Sequence, residues 1–127
     1  MQEGFWGFSA GDAPNKQYLV YNALDYSSGV CLACVPGSAM YLKDEILDDV
    51  SAWLASPYGK QIWGRYGLTD SIDLDQNWIG QVVFGITVGP EFLSLANTDE
   101  KTSVWKVFMT LPEIQRGLKA AESADKL

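Results

Sequence analysis

Residues 58–90 read YGKQIWGRYGLTDSIDLDQNWIGQVVFGITVGP, and their interpretation decides the fold. The run Trp63-Gly64-Arg65-Tyr66-Gly67 is no ordinary helix, because two glycines so close together weaken a helix and favour special backbone angles. Asp70, Asp73 and Asp75 then set three carboxylates on a predicted loop, with Trp78 just beyond. From Ile79 the chain turns apolar, through Val82, Val83, Phe84, Ile86, Val88, Phe92, Leu93 and Leu95. Apolar nearly all round, residues 79–97 are predicted to form a central buried helix, entered or bent at Gly89-Pro90. Large aromatic faces beside carboxylates suit a sugar, whose apolar face the rings cover while the acids bind hydroxyls or move protons. The same residues also suit an aromatic loop capping a helical core.

Upstream, residues 43–56 carry Ile46, Leu47, Val50, Trp53 and Leu54 at helical spacing. Asp44 and Glu45 fall in the first turn, where the helix dipole favours them, and Pro57 ends the helix. Residues 29–42 are small and apolar and predict a closely packed helix that Pro36-Gly37 kinks or divides. Residues 15–28 hold Tyr18, Tyr21 and Tyr26 and predict a short strand near Tyr18 to Tyr21 or an irregular crossing. Gly4, Gly7 and Gly11 make residues 1–14 a loop. Downstream, Thr98-Asp99 offers an N-cap to a helix with Val104, Trp105, Val107 and Phe108. Thr110-Leu111-Pro112-Glu113 reads as a capping box opening a last helix through Ile114, Leu118 and Ala121. Residues 122–127 are expected to fray, and Trp63 and Trp105 are expected in the core. The whole, residues 1–127, reads as a single all-α domain with long irregular loops.

Composition narrows the function. The chain has 127 residues, 47% of them hydrophobic, enough for one domain with its own core. A net charge of −7 argues against nucleic acid, which demands clustered Lys and Arg. There is no histidine, so His-based triads and His metal sites are excluded. Cys31 and Cys34 form Cys-Leu-Ala-Cys, which supplies only two of the four ligands a closed zinc site needs. No βαβ setting marks the pair as thioredoxin-like, and two small buried residues one helical turn apart is the plainer reading. An Asp70, Asp73, Asp75 calcium loop lacks the glycine and terminal glutamate of an EF-hand, so no metal and no cofactor is expected. The start of the chain has no secretion signal and no stretch reaches the ~18 apolar residues of a spanning helix, so membrane insertion is not expected.

Several blocks together resemble the C-terminal part of the glucoamylase-like (glycoamylase) domain family, which includes bacterial β-1,2-glucanases and part of cyclic β-1,2-glucan synthases. Trp6-Gly7-Phe8-Ser9-Ala10-Gly11-Asp12-Ala13-Pro14 resembles its aromatic-Gly-x-Ser/Thr-Ala-x-Asp-x-Pro motif. Residues 29–45 are similar to its small-residue segment and acidic turn, keeping Glu45. Trp63-Gly64-Arg65-Tyr66-Gly67-Leu68-Thr69-Asp70 resembles its Trp-Gly-Lys-Tyr-Gly-Phe-x-Asp block. Gly85-Ile86-Thr87-Val88-Gly89-Pro90 stands where the family has Gly-Ile-Asp-Gln-Gly-Pro, and Ala96-Asn97 where it has Glu-Asn.

The resemblance implies a partial (α/α)6-toroid-like array of helical hairpins and a glycoside-hydrolase-like activity on a β-glucan or related oligosaccharide. It implies Asp12 and Asp70 as catalytic carboxylates, and Trp6, Glu45, Tyr66 and Trp78 as substrate-binding residues. It also implies a bacterial periplasmic or envelope location. Thr87-Val88 and Ala96 replace acidic or amide positions, so a non-catalytic glycan-binding or scaffold module is the alternative. A partial toroid leaves apolar helix faces open, so a homo-oligomer or a missing N-terminal toroid segment is expected to cover them.

Overall fold

The computed structural model describes residues 4–22, 24, 28–99, 101 and 103–124; Tyr26 and residues 125–127 of the stretch expected to fray lie outside them. Two elements form where helical spacing predicts them. Helix α1 spans Lys43–Ala55, buries Ile46 and Trp53, and carries Asp44 and Glu45 in its first turn. The last helix, which we number α5, spans Pro112–Ala124 and opens on its proline.

Between and before them the chain is built largely from short strands. Strands β1 (Ala10–Ala13) and β2 (Gln17–Val20) form an antiparallel hairpin with Asp12 opposite Tyr18. Asn15 and Lys16, at φ 62° and 60°, turn its corner. Strand β3 (Val30–Cys31) pairs with β6 (Ser71–Asp73), which pairs with β7 (Trp78–Ile79). A one-turn helix, α2 (Gly59–Ile62), leads into a small hairpin of β4 (Trp63–Gly64) and β5 (Gly67–Leu68). Helix α3 spans Gly85–Ala96 and α4 spans Val104–Met109.

The all-α expectation is therefore wrong, and with it the array of helical hairpins. The fold is mixed, with three small antiparallel sheets among the described residues. Strands of two to four residues are shorter than the window in which alternation can be read. Residues 29–42 show this best. Their small apolar side chains suit any closely packed backbone, and tertiary pairing of Val30 with Ile72 selects a strand. A 3-10 turn, Val35–Ser38, follows in place of the predicted helix. Both α1 and α3 pack against that turn. The main core joins Phe5, Leu32, Val35, Ala39, Ile46, Trp53, Ile62, Leu68 and Ile72, so strands and loops supply it as much as helices.

Residues 79–97 are corrected too. Helix begins only at Gly85, and Ile86 and Phe92 on it are 77% and 68% exposed. Trp63 and Trp105, expected in the core, are both more than half exposed. The cap of α4 is Ser103, whose Oγ accepts from the Lys106 N–H at 3.3 Å, in place of Thr98-Asp99.

Candidate functional site

The hairpin β1–β2 lays Asp12 and Tyr18 beside each other, and β7 brings Trp78 across from them. Together with Lys16, Val82 and Phe84 these side chains line a cavity of about 620 Å³. Tyr18 meets Phe84 edge-on at 5.5 Å between ring centres, which fixes one wall. Trp78 and Asp12 are both partly buried residues. Asp12 and Trp78 are thus brought into one site from opposite ends of a 66-residue separation.

Asp70 does a different job. It is 1% exposed and lines no part of this cavity. Its Oδ2 accepts from the Asp12 main-chain N–H at 2.7 Å and from Ser71 Oγ at 2.9 Å. Its Oδ1 accepts from Thr87 Oγ1 at 3.0 Å. Three donors therefore converge on one buried carboxyl, and one of them is the backbone of Asp12. The Tyr21 hydroxyl donates to the Asp12 carbonyl and ties the other side of that peptide. The reactive-looking acid is held by its backbone, which leaves its side chain facing the cavity wall by Gly80.

Gly80 is a site residue that the sequence reading missed. A Cβ there would stand 2.9 Å from the Ser71 carbonyl oxygen, 3.2 Å from the Trp78 ring and 3.3 Å from Asp12 Oδ2. A side chain here would press on the Ser71 backbone, the ring and the carboxyl at once. A lone glycine after Trp78-Ile79 gives no local signal of that role. Tyr18 and Phe84 were missed as lining residues for the same reason.

The remaining expected binding residues lie elsewhere. Trp6 donates its Nε1–H to Asp49 Oδ2 at 2.7 Å and meets Trp53 edge-on, joining the first loop to α1. Glu45 is exposed on α1. Tyr66 is exposed at the tip of the β4–β5 hairpin, with the Arg65 guanidinium 5.4 Å over its ring. None of the three lines the Asp12–Trp78 cavity. Glu91, a carboxyl held above its ordinary range by burial, lines it no more than they do. Among the described residues no three His, Cys, Asp or Glu side chains gather as a metal site. Asp73 instead accepts from Ser28 Oγ and from the Gln76 side chain. No helix among these residues is long and apolar enough to cross a membrane.

Burial raises the Asp12 carboxyl above its ordinary 3.8, the Ala13 N–H opposes this, and nearby Asp70 adds to the rise. An acid raised on folding binds its proton more tightly in the native state. The native state thus loses stability as pH climbs from the unfolded pKa through the folded one, and the deficit persists at neutral pH. Asp12→Asn is expected to raise the melting temperature at pH 7 by at most ~4 °C. The gain should vanish below about pH 3.8, where both forms of wild type are protonated. Thermal melts across pH 3 to 7 check this, and equal gains at both ends contradict it.

The sequence matches the profile of the Glycoamylase family, described as "Putative glucoamylase", over residues 1–112. An exo β-1,2-glucooligosaccharide sophorohydrolase of Parabacteroides distasonis is 29% identical over 66 residues, 52% of this chain. That match covers 9% of the relative's length. An endo-β-1,2-glucanase of Chitinophaga pinensis, solved with sophorotriose and glucose, superposes with a TM-score of 0.79 at 25% identity. The superposition covers 91% of this chain and 28% of that one. A Bacteroides uniformis protein, also described as a putative glucoamylase, gives 0.79 at 26% identity, over 92% of this chain and 28% of its own. The chain thus spans under a third of the solved relatives it matches.

Proposed function

The chain belongs to the Glycoamylase family, and from that membership we propose that it forms the Asp12–Trp78 wall of a cleft acting on a β-1,2-linked glucan. The observation that carries the reading is that Asp12 and the Trp78 ring line one cavity, and both closely approach Gly80. An indole covers the apolar face of a glucose ring, while a carboxyl whose proton affinity burial raises can give a proton to a glycosidic oxygen. We assign Asp12 the role of reacting acid. Asp70 positions it, because all three of its hydrogen bonds are spent inside the fold.

Glycoside hydrolysis uses a second carboxyl across the scissile bond, ~5 to 10 Å away. Neither Asp70 nor Glu91 lines the cavity, so in this reading the second group comes from polypeptide outside this chain. Exposed apolar side chains on α3 and α4, among them Ile86, Phe92, Trp105 and Val107, support the presence of such polypeptide. The isolated chain is then expected to bind a hydrophobic dye and to sediment above its monomer mass at micromolar concentration. A clean monomer without dye binding contradicts that part.

A binding role without chemistry is the second reading, favoured by the Thr87 hydroxyl, which hydrogen-bonds Asp70 and brings no carboxyl to the site. Incubation of the protein that carries this chain together with the rest of the cleft, using linear β-1,2-glucan and following oligosaccharide release, separates the two. Release that falls ~100-fold or more in Asp12→Asn supports catalysis. Saturable binding with no release supports the second reading. Gly80→Ala is expected to weaken oligosaccharide binding at least ~10-fold by wedging Trp78 from Asp12. Unchanged affinity by calorimetry would remove Gly80 from the site.

A further inference from the structure

The proposed glycan chemistry uses neither cysteine, yet the two are placed as a working pair. Cys31 ends β3 and is 0% exposed. Cys34 follows across the turn closed by the Val35 N–H to the Leu32 carbonyl, at 3.1 Å. Its side chain folds back so that Sγ lies 2.9 Å from the Cys31 carbonyl oxygen, to which it donates. Cys34 also packs against the buried cluster that holds Cys31. Cys34 is only partly covered, and it lines a second cavity of about 430 Å³ with Phe8, Tyr18, Thr87 and Pro90. One sulfur is therefore reachable from solvent while its neighbour waits behind it. This is the arrangement that thiol–disulfide exchange needs: an accessible attacking sulfur and a resolving one within contact.

We propose that Cys31 and Cys34 are a reversible dithiol–disulfide couple, oxidised through the Cys34 cavity by a low-molecular-weight organic disulfide. The cavity is large enough to admit half of such a molecule beside Cys34. In the first exchange the Cys34 sulfur attacks one sulfur of the reagent, whose S–S bond breaks. The departing thiolate takes the Cys34 proton, and a mixed disulfide remains on Cys34. In the second, the Cys31 sulfur attacks the Cys34 sulfur and expels the other half, which leaves with the Cys31 proton. Two protein thiols become one cystine, and one reagent disulfide becomes two thiols.

The interaction between the two side chains lowers the Cys31 thiol and raises that of Cys34, so access through the cavity, and not acidity, makes Cys34 the first sulfur to react. Asp70 opposes a charge on either sulfur. The couple also touches the glycan site's support, because Cys31 packs on Ala13, next to Asp12, and on Tyr21. The proposal itself does not depend on the glycan reading.

The folded chain is incubated with oxidised glutathione at about pH 8, quenched in acid, and its intact mass measured. We expect the loss of two hydrogens with no glutathione retained, and no thiol left to a maleimide after unfolding. Cys31→Ser is expected to stop at the first step and keep one glutathione on Cys34. Wild type that keeps both thiols, or that keeps an adduct without closing the bond, overturns the proposal. Should Cys31→Ser not fold, maleimide labelling of native wild type decides: Cys34 is expected to react at least ~10-fold faster than Cys31. Equal rates, or Cys31 first, overturn it.

Discussion

Gly7→Ala is expected to leave little folded protein. Gly7 has φ +151°, and a Cβ added to it would stand 1.9 Å from the Cys31 carbonyl oxygen and 2.8 Å from its carbon. Both atoms are backbone, so no side chain can swing aside. The first loop would have to leave β3, breaking the bond from the Cys31 N–H to the Gly7 carbonyl at 3.1 Å. Phe5 and Trp6, packed on the rings of Trp53 and Tyr58, would be displaced with it. We expect a loss of more than ~4 kcal/mol, against a total of ~5 to 15 for an ordinary domain. Urea unfolding checks it, and a midpoint equal to that of wild type contradicts it.

Asp70→Ala should be nearly as severe. It strips the acceptor from the Asp12 N–H, Ser71 Oγ and Thr87 Oγ1 at once, in a position only 1% exposed. Each donor left unpaired costs ~1 to 3 kcal/mol, although the two hydroxyls can rotate toward other acceptors. The expected loss is ~3 to 5 kcal/mol. Asp70→Asn should lose only ~1 to 2, since its oxygen can serve Asp12 and Ser71 while the Thr87 hydroxyl turns to accept from the amide. Equal losses for the two variants would mean that Asp70 acts by volume alone. Because the Asp12 backbone is one of the three donors, Asp70→Asn is also expected to disturb the cleft at a temperature where the protein stays folded.

Local pattern carried α1, α5, the six-residue α4 and the strand near Tyr18, and failed for β1 and the strands of two or three residues. Helix α1 repeats its apolar residues over 13 positions and ends before Pro57, and α5 announces itself by Pro112 in its first turn. Thr110 closes α4, its hydroxyl donating to the Val107 carbonyl, and does not cap α5. Strands β3 to β7 offer two or three residues each, and their pairing is decided by partners up to 42 positions away, as Val30 with Ile72. The site divides the same way. The motif around Asp12 and the aromatic Trp78 could both be named from sequence, but nothing local says that they meet. Trp6 and Tyr66 are equally aromatic and equally close to motif residues. The indole N–H of Trp6 is engaged by Asp49, and Tyr66 is set on a hairpin tip. Gly80 is invisible before the fold exists, because its importance is the space that it leaves empty.

The central claim is that Asp12 and Trp78 form one glycan-binding wall. It is tested most directly by titrating the folded chain with linear β-1,2-gluco-oligosaccharides and following tryptophan fluorescence, beside Trp78→Ala. Saturable quenching that Trp78→Ala abolishes, in a variant whose circular dichroism matches wild type, is the expected result. A flat response from folded wild type, or the same saturable response in Trp78→Ala, would contradict it.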